Sequence, residues 1–334
     1  MRRIASLTLL VTIIVLTFGS IRTHAEQSEI TIAKQYGLTY LQMMIMEDRQ
    51  MVEKHARALG LGMNKVNWVT FRSSDVMNDA LLSGSVDFVC LGPPGIAVIW
   101  SKTNGQVKAA SGLNFLPNQL NTRSPNIKGI RDFTEKDKIA VPAVKVSVQA
   151  VLLQMWVAKE FGDVNVNRLD SLTVSMTHPD AMLALLSGGG EINNHFASVP
   201  FAQNEMEKPG IRKVINATEI LGGPLSANVV AANTKFQQDN PKTYAAFMAA
   251  LQEATDFINR DKRAAAEIYV KATKDKSGVD GILKIINDPA IEYSLVPGNI
   301  MKVVDFMYKI GSIKTKPSSW KDMFFPNAHI MPGS

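Results

Sequence analysis

Two clusters of polar residues stand where helices begin and a third at the end of a strand, and each could recognise charge. Arg72-Ser73-Ser74 follows an apolar run and opens a stretch of helical periodicity. A guanidinium, two hydroxyls and the free N–H groups of a first helical turn could converge there on an anion. The same three residues also read as a capped helix with a solvated arginine. Lys145, Ser147 and Gln149 occupy a similar place, on a loop and the first turn of a later helix. His195, beside Asn193 and Asn194, ends an otherwise apolar strand. Polar groups there need partners, so His195 is either a satisfied buried histidine or a ligand contact. Gly92-Pro93 closes the equivalent earlier strand, either as a simple turn or as a cleft floor where a missing side chain admits a ligand close to the backbone.

Other chemistry is harder to build. Cys90 is the single cysteine, which excludes an internal disulfide and any cysteine-based zinc site. A nucleophilic Cys90 paired with His195 would need hydrogen-bond reach and a depressed thiol pKa; a small buried core residue is the plainer reading. His178 and Asp180, two positions apart, do not share a helical face, so no metal site is expected. The 16 methionines fall mostly at helical spacing among other apolar residues and read as core filling. No cofactor is expected.

The elements that must position these groups recur. Residues 1–25 read as a secretory signal peptide: Arg2 and Arg3, an apolar run from Ile4 to Gly19, then Thr23-His24-Ala25 with cleavage after Ala25. An apolar run of 16 residues is about 24 Å of helix, short of a bilayer core. Cleavage would leave 33 basic against 30 acidic residues, a charge of +3 instead of +6, too weak and scattered for nucleic acid. With 46% hydrophobic and 20% charged residues, the remainder is globular and long enough for about two domains.

Ile30 and Ile32 begin a strand that breaks at Gln35-Tyr36-Gly37; one helical face from Tyr40 through Met44, Met51 and Leu59 follows, ending at Gly60. Val66–Phe71 is a second strand, then comes a helix through Leu82, then a strand from Val86 to Leu91. The order returns with strands at Lys138–Val141 and Leu172–Met176, a helix opened by His178-Pro179-Asp180, and a strand at 192–195. The pentapeptide Ala80-Leu81-Leu82-Ser83-Gly84 reappears as Ala184-Leu185-Leu186-Ser187-Gly188. Repeated strand–helix order predicts two similar α/β lobes with parallel-rich sheets, and helix N-termini aimed into the space between them. Asn240-Pro241 opens a helix with a 3.6-residue period through Ile258; helices over 263–272 and 299–310 follow, assigned mainly to the first lobe through a returning strand at 227–231.

Taken together, the signal segment, the Tyr36-Gly37 loop, Leu82-Ser83-Gly84-Ser85-Val86-Asp87-Phe88, Gly129-Ile130-Arg131-Asp132-Phe133 and Ser319-Trp320-Lys321-Asp322 resemble the nitrate, sulfonate and taurine group of ABC-transporter substrate-binding proteins. That resemblance implies a bilobal type II periplasmic-binding-protein fold. Lobe 1 would span 26–121 and 230–334 and lobe 2 would span 122–229, with crossings near 121–128 and 222–230. It implies a monomeric periplasmic protein that is no enzyme. Such a protein captures a small anion by lobe closure and delivers it to the permease and ATPase of an ABC importer. It adds Gln35, Tyr36 and Tyr40 to the ligand-binding candidates Arg72, Ser73, Ser74, Gly92, Pro93, Lys145, Ser147, Gln149 and His195. The alternatives are an enzyme of the thiamine-pyrimidine-precursor branch on the same fold, against which the single cysteine and the secretion signal weigh, and a ligand sensor docking on a receptor.

Overall fold

The computed structural model describes residues 25–63 and 65–334; the signal segment falls almost wholly outside the described residues. Eleven strands form among them: β1 (Glu29–Lys34), β2 (Lys65–Thr70), β3 (Phe88–Leu91), β4 (Val107–Phe115), β5 (Gln119–Thr122), β6 (Ile139–Val141), β7 (Thr173–Ser175), β8 (Asn194–Ala197), β9 (Arg212–Asn216), β10 (Asn228–Asn233) and β11 (Glu292–Tyr293). They make two sheets, β11-β4-β10-β3-β1-β2 and β7-β6-β8-β5-β9.

The two sheets share one plan. β1 lies between β2 and β3, parallel to both, and β6 lies between β7 and β8 in the same way. Each sheet next takes an antiparallel strand contributed across the chain, β10 against β3 and β5 against β8. The pentapeptide copies close equivalent helices, Ser74–Leu82 and His178–Ser187, and both end in a left-handed glycine, Gly84 and Gly188, at φ 74°. Only glycine adopts that conformation without strain.

The chain leaves the first sheet at Phe115 and enters the second at Gln119. Residues 119–121 therefore group with the second sheet rather than the first, because β5 is paired on both edges, with β8 and β9. The return to the first sheet is made by β10, which starts at Asn228.

Side-chain alternation distributes the core to both faces of the first sheet. Ile30, Ile32, Phe88 and Val230 meet helices Leu41–Asp48, Met51–Ala58, Pro241–Arg260, Lys262–Thr273 and Gly278–Ile286. Phe88 stacks on Phe247 at 3.9 Å between ring centroids. Ala33, Val89 and Leu91 face the other way, toward helices Ser74–Leu82, Pro93–Lys102 and Ile300–Lys309. The C-terminal helices thus cover the first sheet, as their periodicity predicts.

One predicted helix is two. Helix Leu41–Asp48 stops and Met51–Ala58 restarts after Gln50, which is left-handed at φ 49°. The apolar stripe continues across the break, so periodicity alone did not reveal it.

In the second sheet, Leu120, Ile139, Val141 and Phe196 pack on helix Val148–Phe161. That helix also reaches the first half, where Val151 joins the core under helix Pro93–Lys102. Among the described residues, no helix is long and apolar enough to cross a membrane.

Candidate functional site

A cavity of about 40 Å³ lies between the halves at the strand ends. The first half contributes Gln35 and Tyr36, just past β1, with Thr39, Tyr40, Ser74 and Asn228; the second contributes Asn118, Ser147, Gln149, His178 and Ser198. The space holds a group of only a few heavy atoms, far below the roughly 300 Å³ at which sites for larger ligands begin, so a bigger solute requires the halves to part. A wider opening of about 930 Å³ lies on the far side of Gln35, Tyr36 and Gly37, and lysines including Lys34, Lys208 and Lys271 line it.

Local geometry holds the halves together. Gly37, at φ 100°, sits so close to the second half that an added Cβ would be 2.7 Å from the Val199 carbonyl oxygen. Beside it, the Leu38 N–H donates to that same oxygen at 2.9 Å.

Six of the sequence-predicted residues, Gln35, Tyr36, Tyr40, Ser74, Ser147 and Gln149, meet at the cavity. Gln35 donates weakly to the Ser74 hydroxyl at 3.4 Å. Tyr40 is buried; desolvation and then the neighbouring Cys90 push its phenol up, against a hydrogen bond with Asn228, so it stays protonated. Ser147 caps helix Val148–Phe161, accepting from the Ala150 N–H at 3.2 Å and donating to the Ala143 carbonyl at 2.7 Å. Its hydroxyl is largely committed, while the helix's first amides have no intrahelical partner.

The other six do not line the cavity. Arg72 and Lys145 are exposed, Lys145 in a left-handed loop conformation at φ 66°. The cleft therefore has no cation at the cavity, contrary to the expectation that a guanidinium and an ammonium would meet an anion there. Ser73 is buried and donates to Asp75 instead. Gly92 and Pro93 are buried, and Gly92 abuts the second half, where its Cβ would lie 2.1 Å from Val148 Cγ2. Glycine at 92 permits that close approach and does not floor the cavity.

His195 is the satisfied buried histidine of the two readings. Its Nε2 is 2.8 Å from His178 Nδ1 and its Nδ1 is 2.5 Å from Glu205 Oε1. Both ring nitrogens are taken, which leaves none for Cys90. Burial pushes the Cys90 thiol up, with Lys34 opposing weakly.

Sequence reasoning missed four polar lining residues of the second half and its seam: Asn118, His178, Ser198 and Asn228. Ser198, 5% exposed, has a buried hydroxyl oxygen without a protein partner. His178 opens its helix, stacks on Phe201 at 5.5 Å and turns its Nε2 toward Gln149 Nε2 at 3.3 Å. Burial holds the His178 pKa well below the usual imidazole value, and the adjoining His195 adds to the effect, so the ring is neutral. Every polar group at the cavity is thus uncharged. Among the described residues, no cluster of histidine, cysteine or carboxylate side chains could hold a metal ion.

The sequence profile of the NMT1-like family matches residues 23–272. The chain belongs to that family. Comparison with curated proteins finds no sequence match. The NMT1-like chain is similar in structure to the alkanesulfonate-binding protein SsuA from Xanthomonas axonopodis pv. citri bound to MOPS, with a TM-score of 0.69 and 16% identity over 87% of this chain and 96% of that one. The periplasmic aliphatic sulphonate-binding protein SsuA from Escherichia coli follows at 0.66 and 16% over 92% and 100%. The periplasmic nitrate-binding protein NrtA from Synechocystis PCC 6803 gives 0.58 and 13% over 79% and 70%. These structural similarities establish a shared fold, the periplasmic-binding-protein fold, and agree with the group that the sequence resembles.

Proposed function

We propose that this NMT1-like protein is the extracytoplasmic solute-binding component of an ABC importer. It captures a small solute with an anionic oxygen-bearing head, closes its lobes on it, and presents it to the permease and ATPase. The observation that supports this best is the convergence of neutral polar groups from both halves, Tyr40 and Ser74 with Gln149 and His178, on one narrow cavity. A closed state is favoured by ligand only when the ligand touches both lobes, and this arrangement meets that condition. Anion recognition here would rest on hydroxyls, amide N–H groups and a helix N-terminus. Export behind residues 1–25 and action as a periplasmic monomer complete the reading, with the lobes following the two sheets.

The test is a thermal-shift screen of the purified protein with ethanesulfonate, nitrate, bicarbonate and benzoate, followed by solution scattering with any binder. A ligand at 100 times its dissociation constant stabilises by about 2.7 kcal/mol. One binder that also compacts the protein supports the reading; no shift with any probe, or chemical turnover of a bound one, overturns it.

A further inference from the structure

Glu205 and His195 are both fully inaccessible, and Glu205 makes no ion pair besides that with His195. Its other oxygen accepts from Asn121 Nδ2 at 2.8 Å. A lone buried charge is very costly, so the Glu205–His195 unit is neutral as a whole. Because Oε2 accepts from Asn121, any acid proton lies on Oε1, facing His195 Nδ1, and two arrangements satisfy that condition: carboxylate with imidazolium, or carboxylic acid donating to imidazole. In both, His195 Nε2 carries a proton. It donates to His178 Nδ1 at 2.8 Å, which makes that nitrogen an acceptor. A neutral His178 then carries its own proton on Nε2, the atom at the cavity.

We propose that His178 is a ligand-binding residue that presents an Nε2–H donor to an oxygen acceptor of the solute, and that the buried Glu205–His195 pair fixes it in this tautomer. The proposal rests on reading the cleft as an anion site and names how that site works. With this tautomer, His178 Nε2 and Gln149 Nε2 both carry N–H groups, 3.3 Å apart, and cannot bond one another; the opposite tautomer, in which Nε2 accepts the second Gln149 N–H, would leave Glu205 an uncompensated buried carboxylate. The unpartnered Ser198 hydroxyl lines the same space. Gln149 Nε2 already donates to Asn118 Oδ1 at 2.8 Å. For Gln149 to offer its oxygen to His178 instead, both amides would have to turn. A solute bearing two or three oxygens, such as a sulfonate, nitrate or carboxylate, satisfies these donors together. The two histidines and the glutamate are hydrogen-bonded in series, and they form no metal-holding cluster, so the relay orients a proton.

Nitrogen-15 NMR of the histidine rings in the full chain tests the tautomer without any ligand. A proton on His178 Nε2 is expected; a proton on Nδ1 overturns the proposal. Titration with ethanesulfonate and nitrate, read by the His178 ring resonances and by calorimetry, tests the contact. His178→Ala should weaken the probe that binds by about 10- to 100-fold, the worth of a hydrogen bond to a charged group. His178→Gln, whose amide nitrogen can stand near Nε2, should recover part of the loss, and His178→Asn should not. Binding that leaves the His178 resonances unmoved, or equal affinity in His178→Ala, overturns this proposal alone. Failure of both probes to bind wild type sinks the anion reading and the contact with it.

Discussion

Ser74 and His178 stand 104 positions apart and are each the first residue of the helix that follows the second parallel strand of its half, both facing the same cavity. That is the same offset as between the copies of the repeated pentapeptide at the other end of these helices. The repeated strand–helix order thus places equivalent helix starts on opposite walls. The first consequence is steric. Ser74→Leu puts an isobutyl group into a space of about 40 Å³. Because Ser74 is only partly buried and its bond from Gln35 is long, free-protein stability should change by about 1 kcal/mol or less. Ligand-induced thermal shifts should disappear. A variant that still gives the wild-type shift would remove Ser74 from the site.

Gly92 supplies a second prediction. Its missing side chain lets the end of β3 approach Val148, and a Cβ there would stand 2.1 Å away from Val148 Cγ2. Gly92→Ala should keep the halves from reaching this approach, since the clashing methyl belongs to a β-branched residue in a helix, stiff at χ1. Solution scattering should report a larger radius of gyration than wild type in the presence of ligand, with weaker binding. Gly92→Ala combined with Val148→Ala should restore both. Compaction of the single variant equal to wild type would count against Gly92 as a closure determinant.

The repeat, the helix starts and the helix ends at Gly84 and Gly188 were legible in the sequence because each is a local signal. Gln35, Tyr36 and Tyr40 were reachable only through family resemblance. Arg72 and Lys145 misled: charge suggested an anion partner, yet long cationic side chains at a rim are easily solvated, and here both are. His178 was weighed only against Asp180 as a metal ligand. The repeat itself pointed to it, since Ser74 had been singled out and the offset maps Ser74 onto His178. Asn118, Ser198 and Asn228 carry no local sign; each becomes a wall residue only through strand pairing and crossover. The Gln50 break escaped because the apolar stripe runs through it.

Cys90 gives a third prediction. It is fully buried under the helices covering the first sheet, and burial pushes its thiol up. A neutral, inaccessible thiol is a poor nucleophile. A disulfide-exchange reagent should therefore leave the native protein unmodified at pH 8 and label one thiol in denaturant. Labelling in native conditions should proceed no faster than global unfolding. Rapid native labelling would reopen a reactive role for this residue.

Acid sensitivity follows from His178. Its folded pKa is held well below the ordinary value by burial and by His195, while the unfolded chain titrates near 6.5. Below that pH the unfolded state binds a proton that the folded state refuses, so stability falls as pH falls. Between pH 7.5 and 5.5 the loss from this one group should be on the order of 1 kcal/mol. Glu219 and Glu253 also have lowered pKa values, through Lys213 and Lys54 respectively. Both are largely exposed, and their effect falls near and below the ordinary carboxylate range. The window from pH 5.5 to 7.5 therefore excludes these carboxylates, and comparison with His178→Gln isolates this imidazole from the other histidines, which both proteins share. Urea unfolding across that window should show the decline in wild type and a flatter profile in His178→Gln. A wild-type profile with no decline would mean that His178 accepts a proton in the folded state, and that the pair behind it does not hold the ring neutral.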